Sequence, residues 1–207
     1  MSSIRFIGLG GMAQAIATRA VAGGNSVELI GRDAVKATEL VTELGGGATA
    51  GTFGAAPAGD IVVLAVPYTS AVSVVAQYGD ALAGKVIVDL TNTFNADATG
   101  VVTPDGTAGA QLIAQAAPAS AHVVKAFNTV FGHVLAKGGQ LDVLFAGDDA
   151  NAKASVSTFI ESLGLRPLDV GGLEMARWLE GVGPLLMGLA RHGAGTFDIA
   201  LGVSVVS

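Results

Sequence analysis

The residues whose types and spacing could do chemistry begin at Gly8-Leu9-Gly10-Gly11-Met12-Ala13, where Gly8, Gly10 and Ala13 fit G-x-G-x-x-G/A. Gly8 allows a tight turn off the strand Ile4 to Ile7, and Gly10, lacking a Cβ, lets the backbone approach a pyrophosphate. Ala13 is small enough for the next helix to lie on a sheet, and that helix start offers free N–H groups and a positive dipole end to phosphates. The competing reading is a glycine turn of purely structural use. Arg32 follows Gly31 at the end of the next strand, where an NAD-selective fold places an acid for the ribose hydroxyls. A guanidinium there grips a 2′-phosphate bidentately, and Lys36 adds charge one helical turn on, so NADP(H) is favoured over NAD(H). Asp33 is left either to meet the ribose or to cap the following helix.

Val66, Pro67 and Tyr68 end the strand Asp60 to Val66, where a ligand crosses the carboxyl ends of an open sheet. Tyr68 reads either as loop packing or as a cofactor contact. Phe127-Asn128-Thr129-Val130-Phe131-Gly132 leaves another strand end and offers an amide, a hydroxyl and aromatic rings together. Lys125, inside an otherwise apolar strand, reads as an edge position whose ammonium reaches water. His122, His133 and His192 form no metal pattern, and no Ser-His-Asp order or close carboxylate pair stands out. No residue presents itself as an obligatory acid or base. Hydride transfer between two bound cofactors would need none, since it depends chiefly on positioning. A second cofactor would also explain a nucleotide-binding unit without a large substrate domain.

The elements that must hold these residues alternate. A helix over Met12 to Gly23 ends at Gly23-Gly24, and Ser26 to Ile30 is a strand. A helix spans about Ala34 to Leu44, closed by Gly45-Gly46-Gly47, before a poor strand near Ala48 to Thr52. Asp60 to Val66 is a β-branched run of the kind buried on both faces. Tyr68 to Leu82 is helical and Lys85 to Leu90 a strand, followed by a long polar loop, Thr91 to Gly109, with the length of a binding loop. After it come a short helix (Ala110 to Ala117), a strand (His122 to Phe127), a small helix and a strand (Leu141 to Ala146). Gly147-Asp148-Asp149 then caps a helix over Ala150 to Leu163, and Arg166 to Val170 is a last strand. The alternation predicts an α/β protein with a Rossmann-type, doubly wound, mainly parallel sheet.

The final helix, about Leu173 to Arg191, carries Met175, Trp178, Leu179, Val182, Leu185, Leu186 and Leu189 at helical spacing. Gly181, Pro184 and Gly188 lie on another face, and Pro184 should kink the helix. It reads either as a core helix or as a dimer helix. The organisation expected is a nucleotide-binding unit over 1–170 with a helical extension over 171–207 in the same compact body.

Composition narrows the class. At 207 residues and 51% hydrophobic, the chain can bury a core without staples. With no cysteine, thiol catalysis and thiolate metal sites are excluded. A net charge of −6 and a pI near 4.9 speak against nonspecific nucleic-acid binding. Ile61 to Gly79 has no charge and the length of a membrane span, but Pro67, Tyr68, Thr69, Ser70 and Gln77 split it into strand, turn and helix. The first strand begins at once, without a signal-peptide pattern, and a cytoplasmic protein is expected.

These motifs resemble the F420H2:NADP oxidoreductases, which reduce or oxidise the deazaflavin coenzyme F420 with NADP(H). The resemblance rests on Gly8 to Ala13, Gly31-Arg32 with Lys36, and Ala65-Val66-Pro67-Tyr68. It extends through Phe145-Ala146-Gly147-Asp148-Asp149, Gly164-Leu165-Arg166-Pro167-Leu168-Asp169 and the leucine-rich last helix. It implies a Rossmann domain with a small C-terminal extension, a homodimer, and two cofactor rings face to face in one cleft. It also implies that Leu9, Gly10, Gly11 and Met12 surround the pyrophosphate and that Gly31, Arg32 and Lys36 hold the 2′-phosphate. Val66 and Pro67 would border the nicotinamide, and Asn128, Thr129, Val130, Phe131 and Gly132 the deazaflavin. Archaeal members carry histidine in place of Asn128 and proline in place of Phe131, and the serine usual beside the arginine is Gly31 here. The run Val123 to Asn128 is also similar to the cytosolic domain of six-transmembrane ferric reductases, which pass hydride to an ordinary flavin. The alternatives to F420 are therefore FMN, FAD or a small organic acceptor such as an imine, or a protein that binds NADP without turnover.

Overall fold

A computed structural model describes residues 2–95, 97 and 99–206. Eight strands form one sheet in the order β3-β2-β1-β4-β5-β6-β7-β8. They are β1 (Ser3–Ile7), β2 (Ser26–Gly31), β3 (Thr49–Thr52), β4 (Ile61–Leu64), β5 (Val86–Asp89), β6 (His122–Ala126), β7 (Asp142–Gly147) and β8 (Arg166–Asp169). The helices are α1 (Gly11–Ala22), α2 (Ala34–Leu44), α3 (Tyr68–Tyr78), α4 (Gly109–Ala116), α5 (Gly132–Ala136), α6 (Ala150–Ser162) and α7 (Ala176–Gly188). The strand order reverses between β1 and β4, which makes their carboxyl ends the switch point where an open α/β sheet forms a crevice. Ile61, Val62, Val63 and Leu64 are all buried, as their β-branched run requires of a strand covered on both faces. Two apolar cores flank the sheet, one built on Phe6, Ile16, Phe127 and Phe159, the other on Leu64, Val75, Ile87 and Ile113.

Local chemistry explains the helix limits. Asp33 caps α2, its carboxylate accepting the Lys36 N–H at 3.0 Å, and Asp149 caps α6 through the Ala152 N–H at 2.7 Å. Asp148 does not join that cap; it reaches across to the Leu173 N–H at 2.6 Å. Gly23 and Gly24 close α1 by donating to Arg19 and Val21, with Gly24 at φ 77°.

The sheet departs from the expected direction at one pair: β6 and β7 are antiparallel. The five-residue helix α5 is about 7–8 Å long, too short to carry the chain back along a strand for a parallel crossover. The uncharged stretch Ile61 to Gly79 forms β4, a turn and α3, and among the described residues no helix is long and apolar enough to cross a membrane. The loop Thr91 to Gly109 contains Ala96 and Ala98, which lie outside the described residues; around them Phe94 and Val101 form an antiparallel bridge.

The last helix differs most from its sequence pattern. Leu173–Met175 is a 3-10 turn, α7 follows, and the winding widens to a π-helical segment at Leu189–Ala194. The helix continues through Pro184, so the change of winding comes at Leu189. Nor does the apolar stripe face one way. Ala176, Leu179, Glu180, Gly183 and Leu186 are buried, whereas Trp178, Leu185 and Leu189 are 61%, 68% and 50% exposed. Gly183 permits this packing: a Cβ there would sit 3.0 Å from the Phe94 ring and 3.1 Å from Asn92 Oδ1.

Candidate functional site

Two cavities lie at the carboxyl ends of β1 and β4 and share Ala65, Val66 and Pro67 as a common wall. The smaller, about 360 Å³, is lined by Gly8, Leu9, Gly10, Gly31, Arg32, Lys36 and Phe53, among others. The larger, about 500 Å³, is lined by Met12, Tyr68, Leu90, Thr91, Asn92 and Phe94, together with Val102, Asn128, Phe131 and Gly132. Both volumes fall in the usual range for small-ligand sites.

The smaller cavity is built around the glycine turn after β1. Gly8 has φ 123°, and a Cβ there would sit 2.1 Å from the Ala65 carbonyl oxygen, so only glycine fits. Gly10 and Gly11 differ: a Cβ on either meets nothing within 4 Å, leaving open space before an α1 N-terminus that no side chain caps. That is the room and the donor set a pyrophosphate requires. A Cβ at Gly31 would come within 2.4 Å of a Leu9 methyl, so Leu9 occupies the place a larger residue would need. Arg32 is exposed, with its guanidinium 5.3 Å from the Phe53 ring centre, and Lys36 is exposed on the first turn of α2. Asp33, of the two roles open to it, serves as the helix cap.

The larger cavity is built of side chains from distant parts of the chain. Phe127, at the end of β6, has φ 63°, a conformation costing a bulky residue about 1–2 kcal/mol. Its fully buried ring packs edge-on against Phe159 at 6.2 Å, and this contact holds the turn that presents Asn128 to Gly132. The Asn128 amide is committed inside the protein: Nδ2 donates to the Leu179 carbonyl at 2.8 Å and to Asn92 Oδ1 at 3.3 Å. Its Oδ1, the Thr91 hydroxyl and the Thr129 hydroxyl are buried without a partner. Phe131 lies between His133, stacked at 5.7 Å, and Phe197, edge-on at 6.1 Å. Tyr68 begins α3 and its ring is pressed on Gly109, where a Cβ would come within 2.8 Å of it. Burial, then the nearby Glu180 and Asp89 carboxyls, raises the Tyr68 hydroxyl above its usual range. It therefore keeps its proton across the neutral range.

Of the residues expected from sequence, Leu9, Gly10, Gly31, Arg32 and Lys36 line the smaller cavity and Met12, Tyr68, Asn128, Val130, Phe131 and Gly132 the larger. Val66 and Pro67 line both; Gly11 and the buried Thr129 line neither. Phe53 and the Leu90 to Phe94 segment are additions.

The reading of Lys125 as an edge residue is overturned. It lies on an inner strand at 0% exposure, and its ammonium meets Asp89 at 2.9 Å, the Thr91 carbonyl at 2.5 Å and Glu180 at 3.2 Å. Asp89 and Glu180 are equally buried. A carboxyl pair that sequence spacing could not join is thus brought together around one lysine. The signal available was an aspartate and a lysine at the ends of adjacent apolar strands. Among the described residues no cluster suited to a metal ion occurs.

Sheet order and glycine turn define a Rossmann-type α/β fold. Residues 3–93 match the family model described as NADP oxidoreductase, coenzyme F420-dependent. The chain is 32% identical to the F420-dependent NADP reductase of Methanocaldococcus jannaschii over 65% of its own length and 64% of that protein's. It is 31% identical to the metalloreductase STEAP3 of Rattus norvegicus over 86% of its own length and 36% of that protein's. It therefore spans less than two thirds of either relative. A crystal structure from Arthrobacter sp. FB24, described as a candidate F420-dependent NADP reductase, superposes with a TM-score of 0.86 at 24% identity. That superposition covers 99% of this chain and 100% of the other, and it shows a shared fold. The family resemblance read from the sequence is borne out.

Proposed function

We propose that this protein is an oxidoreductase that transfers hydride between NADP(H) and the deazaflavin coenzyme F420. The observation that carries the reading is the pair of cavities meeting at Ala65-Val66-Pro67, one with glycines, Arg32 and Lys36 in its lining, the other partly aromatic. The nicotinamide and the deazaflavin supply the redox chemistry; the protein supplies position. Leu9, Gly10, Gly11 and Met12 surround the pyrophosphate, and Arg32 and Lys36, beside Gly31, hold the 2′-phosphate. Val66, Pro67 and Tyr68 border the nicotinamide, with Tyr68 presenting a protonated hydroxyl. Asn128, Thr129, Val130, Phe131 and Gly132 shape the acceptor side, where Asn128 acts by tying the turn to α7 and Phe131 by apolar contact. No side chain is assigned as an acid or base.

In this reading 1–170 form the NADP-binding unit and 171–207 its helical extension, and the enzyme works in the cytoplasm on small-molecule cofactors, without nucleic acid or membrane. It acts as a homodimer: Trp178, Leu185 and Leu189 present an apolar face that a second copy would cover. Charged residues in place of Leu185 and Leu189 should leave a soluble monomer by light scattering; an unchanged mass would remove the dimer assignment.

An absorbance assay of purified protein with NADPH and each acceptor alone tests the function. Bleaching of F420 but not FMN is expected. Bleaching with FMN alone would favour the second reading, an ordinary flavin acceptor, to which the metalloreductase similarity points. Tight NADPH binding without turnover of any acceptor would make the protein a nucleotide binder.

A further inference from the structure

The buried Asp89–Lys125–Glu180 cluster takes no direct part in the site described above, yet its bonds join β5, β6 and α7 to both ends of the segment 91–109. Lys125 Nζ holds Asp89 Oδ2 and the Thr91 carbonyl, and Asp89 Oδ1 accepts the Thr91 N–H at 2.8 Å. This fixes the start of the long segment that follows β5. Glu180 ties that start to the far end: Oε2 accepts from the Thr93 hydroxyl at 2.8 Å and the Gly109 N–H at 2.9 Å, and Oε1 accepts the Ala110 N–H at 3.1 Å. One residue earlier on α7, the Leu179 carbonyl takes the Asn128 amide. Both ends of 91–109, the start of α4 and α7 are therefore joined through two carboxyls and one ammonium, and the turn after β6 is tied to the same stretch of α7 through the Leu179 carbonyl. Thr91, Asn92, Phe94 and Asn128, all on these segments, line the larger cavity.

Stability is a poor explanation for such a cluster. Taking these groups out of water costs several kcal/mol per ion, and apolar replacements of similar volume are often neutral or stabilising. The cluster also holds one more acid than base, with backbone donors making up the difference. What ionic bonds supply and apolar packing does not is a single register between segments far apart in sequence. Glu180 is 71 residues from Gly109 and 87 from Thr93.

We propose that Asp89, Lys125 and Glu180 are positioning residues for the acceptor half of the groove. They pin both ends of 91–109 to α7 and thereby set affinity for the hydride acceptor without affecting that for NADPH. The acceptor-affinity part rests on the hydride-transfer reading above; the pinning does not.

The test uses the full chain with Glu180→Gln, which keeps the side chain's shape, and Lys125→Met, which removes the cation. Hydrogen exchange is measured first. Amides of 91–95 and 107–111 should lose protection in both variants, while those of β1 and α1 keep theirs. With F420 as acceptor, KM should then rise roughly tenfold, as for loss of a hydrogen bond to a charged group. NADPH affinity by fluorescence titration should stay within about twofold. Unchanged exchange in those segments, or equal loss of NADPH and acceptor affinity, overturns the proposal. If Lys125→Met does not fold, Glu180→Gln and Thr93→Val, which removes only one hydroxyl bond, decide it by the same readings. A parent protein that folds and binds NADPH but leaves F420 unreduced contradicts the function reading. The exchange pattern still decides the pinning in that case.

Discussion

At one end of the groove the polar groups stand in water: Arg32 and Lys36 are exposed and Gly8, Gly10 and Gly31 form part of the wall. At the other end Asp89, Lys125, Glu180 and the Asn128 amide are sealed inside and bonded to one another's segments. The first end is ready for a ligand that brings its own charge, since phosphates supply what the open N–H groups and cations lack. In the proposed function the second must be shaped before the flat deazaflavin ring arrives, because such a ring brings few bonds and binds by fit. The groove is thus divided between a locally encoded turn and a surface assembled from distant pieces.

The largest effects should come from separating two glycines of one motif. Gly8→Ala drives a methyl into the Ala65 carbonyl at positive φ, and denaturant unfolding should show a loss of at least about 3 kcal/mol. Gly10→Ala meets open space, so the protein should unfold as the parent does while NADPH binding weakens. Normal NADPH binding by the Gly10 variant would make the turn merely structural. Next, Arg32→Ala should weaken NADP(H) binding by roughly 1.5–3 kcal/mol, the range for hydrogen bonds to charged groups, and barely change NAD(H). Equal losses for both would remove Arg32 from the 2′-phosphate. On the acceptor side, Phe131→Ala should cost about 0.5–1.5 kcal/mol in acceptor binding, seen as a raised KM, with NADPH titration unchanged. Loss of NADPH binding with acceptor kinetics intact would reverse the two ends.

The smallest effect concerns the C-terminal tail, which reaches Phe131 through Phe197. Arg166, bonded to Asp142 and to the Val203 carbonyl, holds the Asp142 carboxyl below its usual range, and Lys137 does the same for Asp198. Both folded-state values lie below the unfolded ones, so this stabilisation is present above the ordinary aspartate range and is lost as pH falls through the lowered values. Proteolysis of the tail should stay constant from neutral pH downward and rise only below about pH 4. Release well above that would show that these pairs do not retain it.

The same division decided what could be read from the sequence. The glycine-lined end depends on contacts within a few residues, so the glycine turn and the strand ends were legible in order. The strand alternation gave the doubly wound sheet, but the antiparallel β7 depended on how little chain α5 offers for a crossover. Lys125 was misread because an isolated lysine in an apolar strand looks the same whether water or two acids await it. Its partners are 36 and 55 residues away. The α7 stripe failed for a related reason: the buried face is chosen by Glu180 and Gly183, a charged and a minimal residue that hydrophobic periodicity does not count.

The most direct test of the account is the path of the hydrogen itself. Protein mixed without oxygen with NADPH deuterated on the transferring face of the nicotinamide, and with F420, should yield reduced deazaflavin carrying that deuterium at nearly full content. Reduced deazaflavin carrying solvent hydrogen, or F420 left unreduced by protein that binds NADPH tightly, would contradict direct transfer between rings that meet beside Ala65-Val66-Pro67.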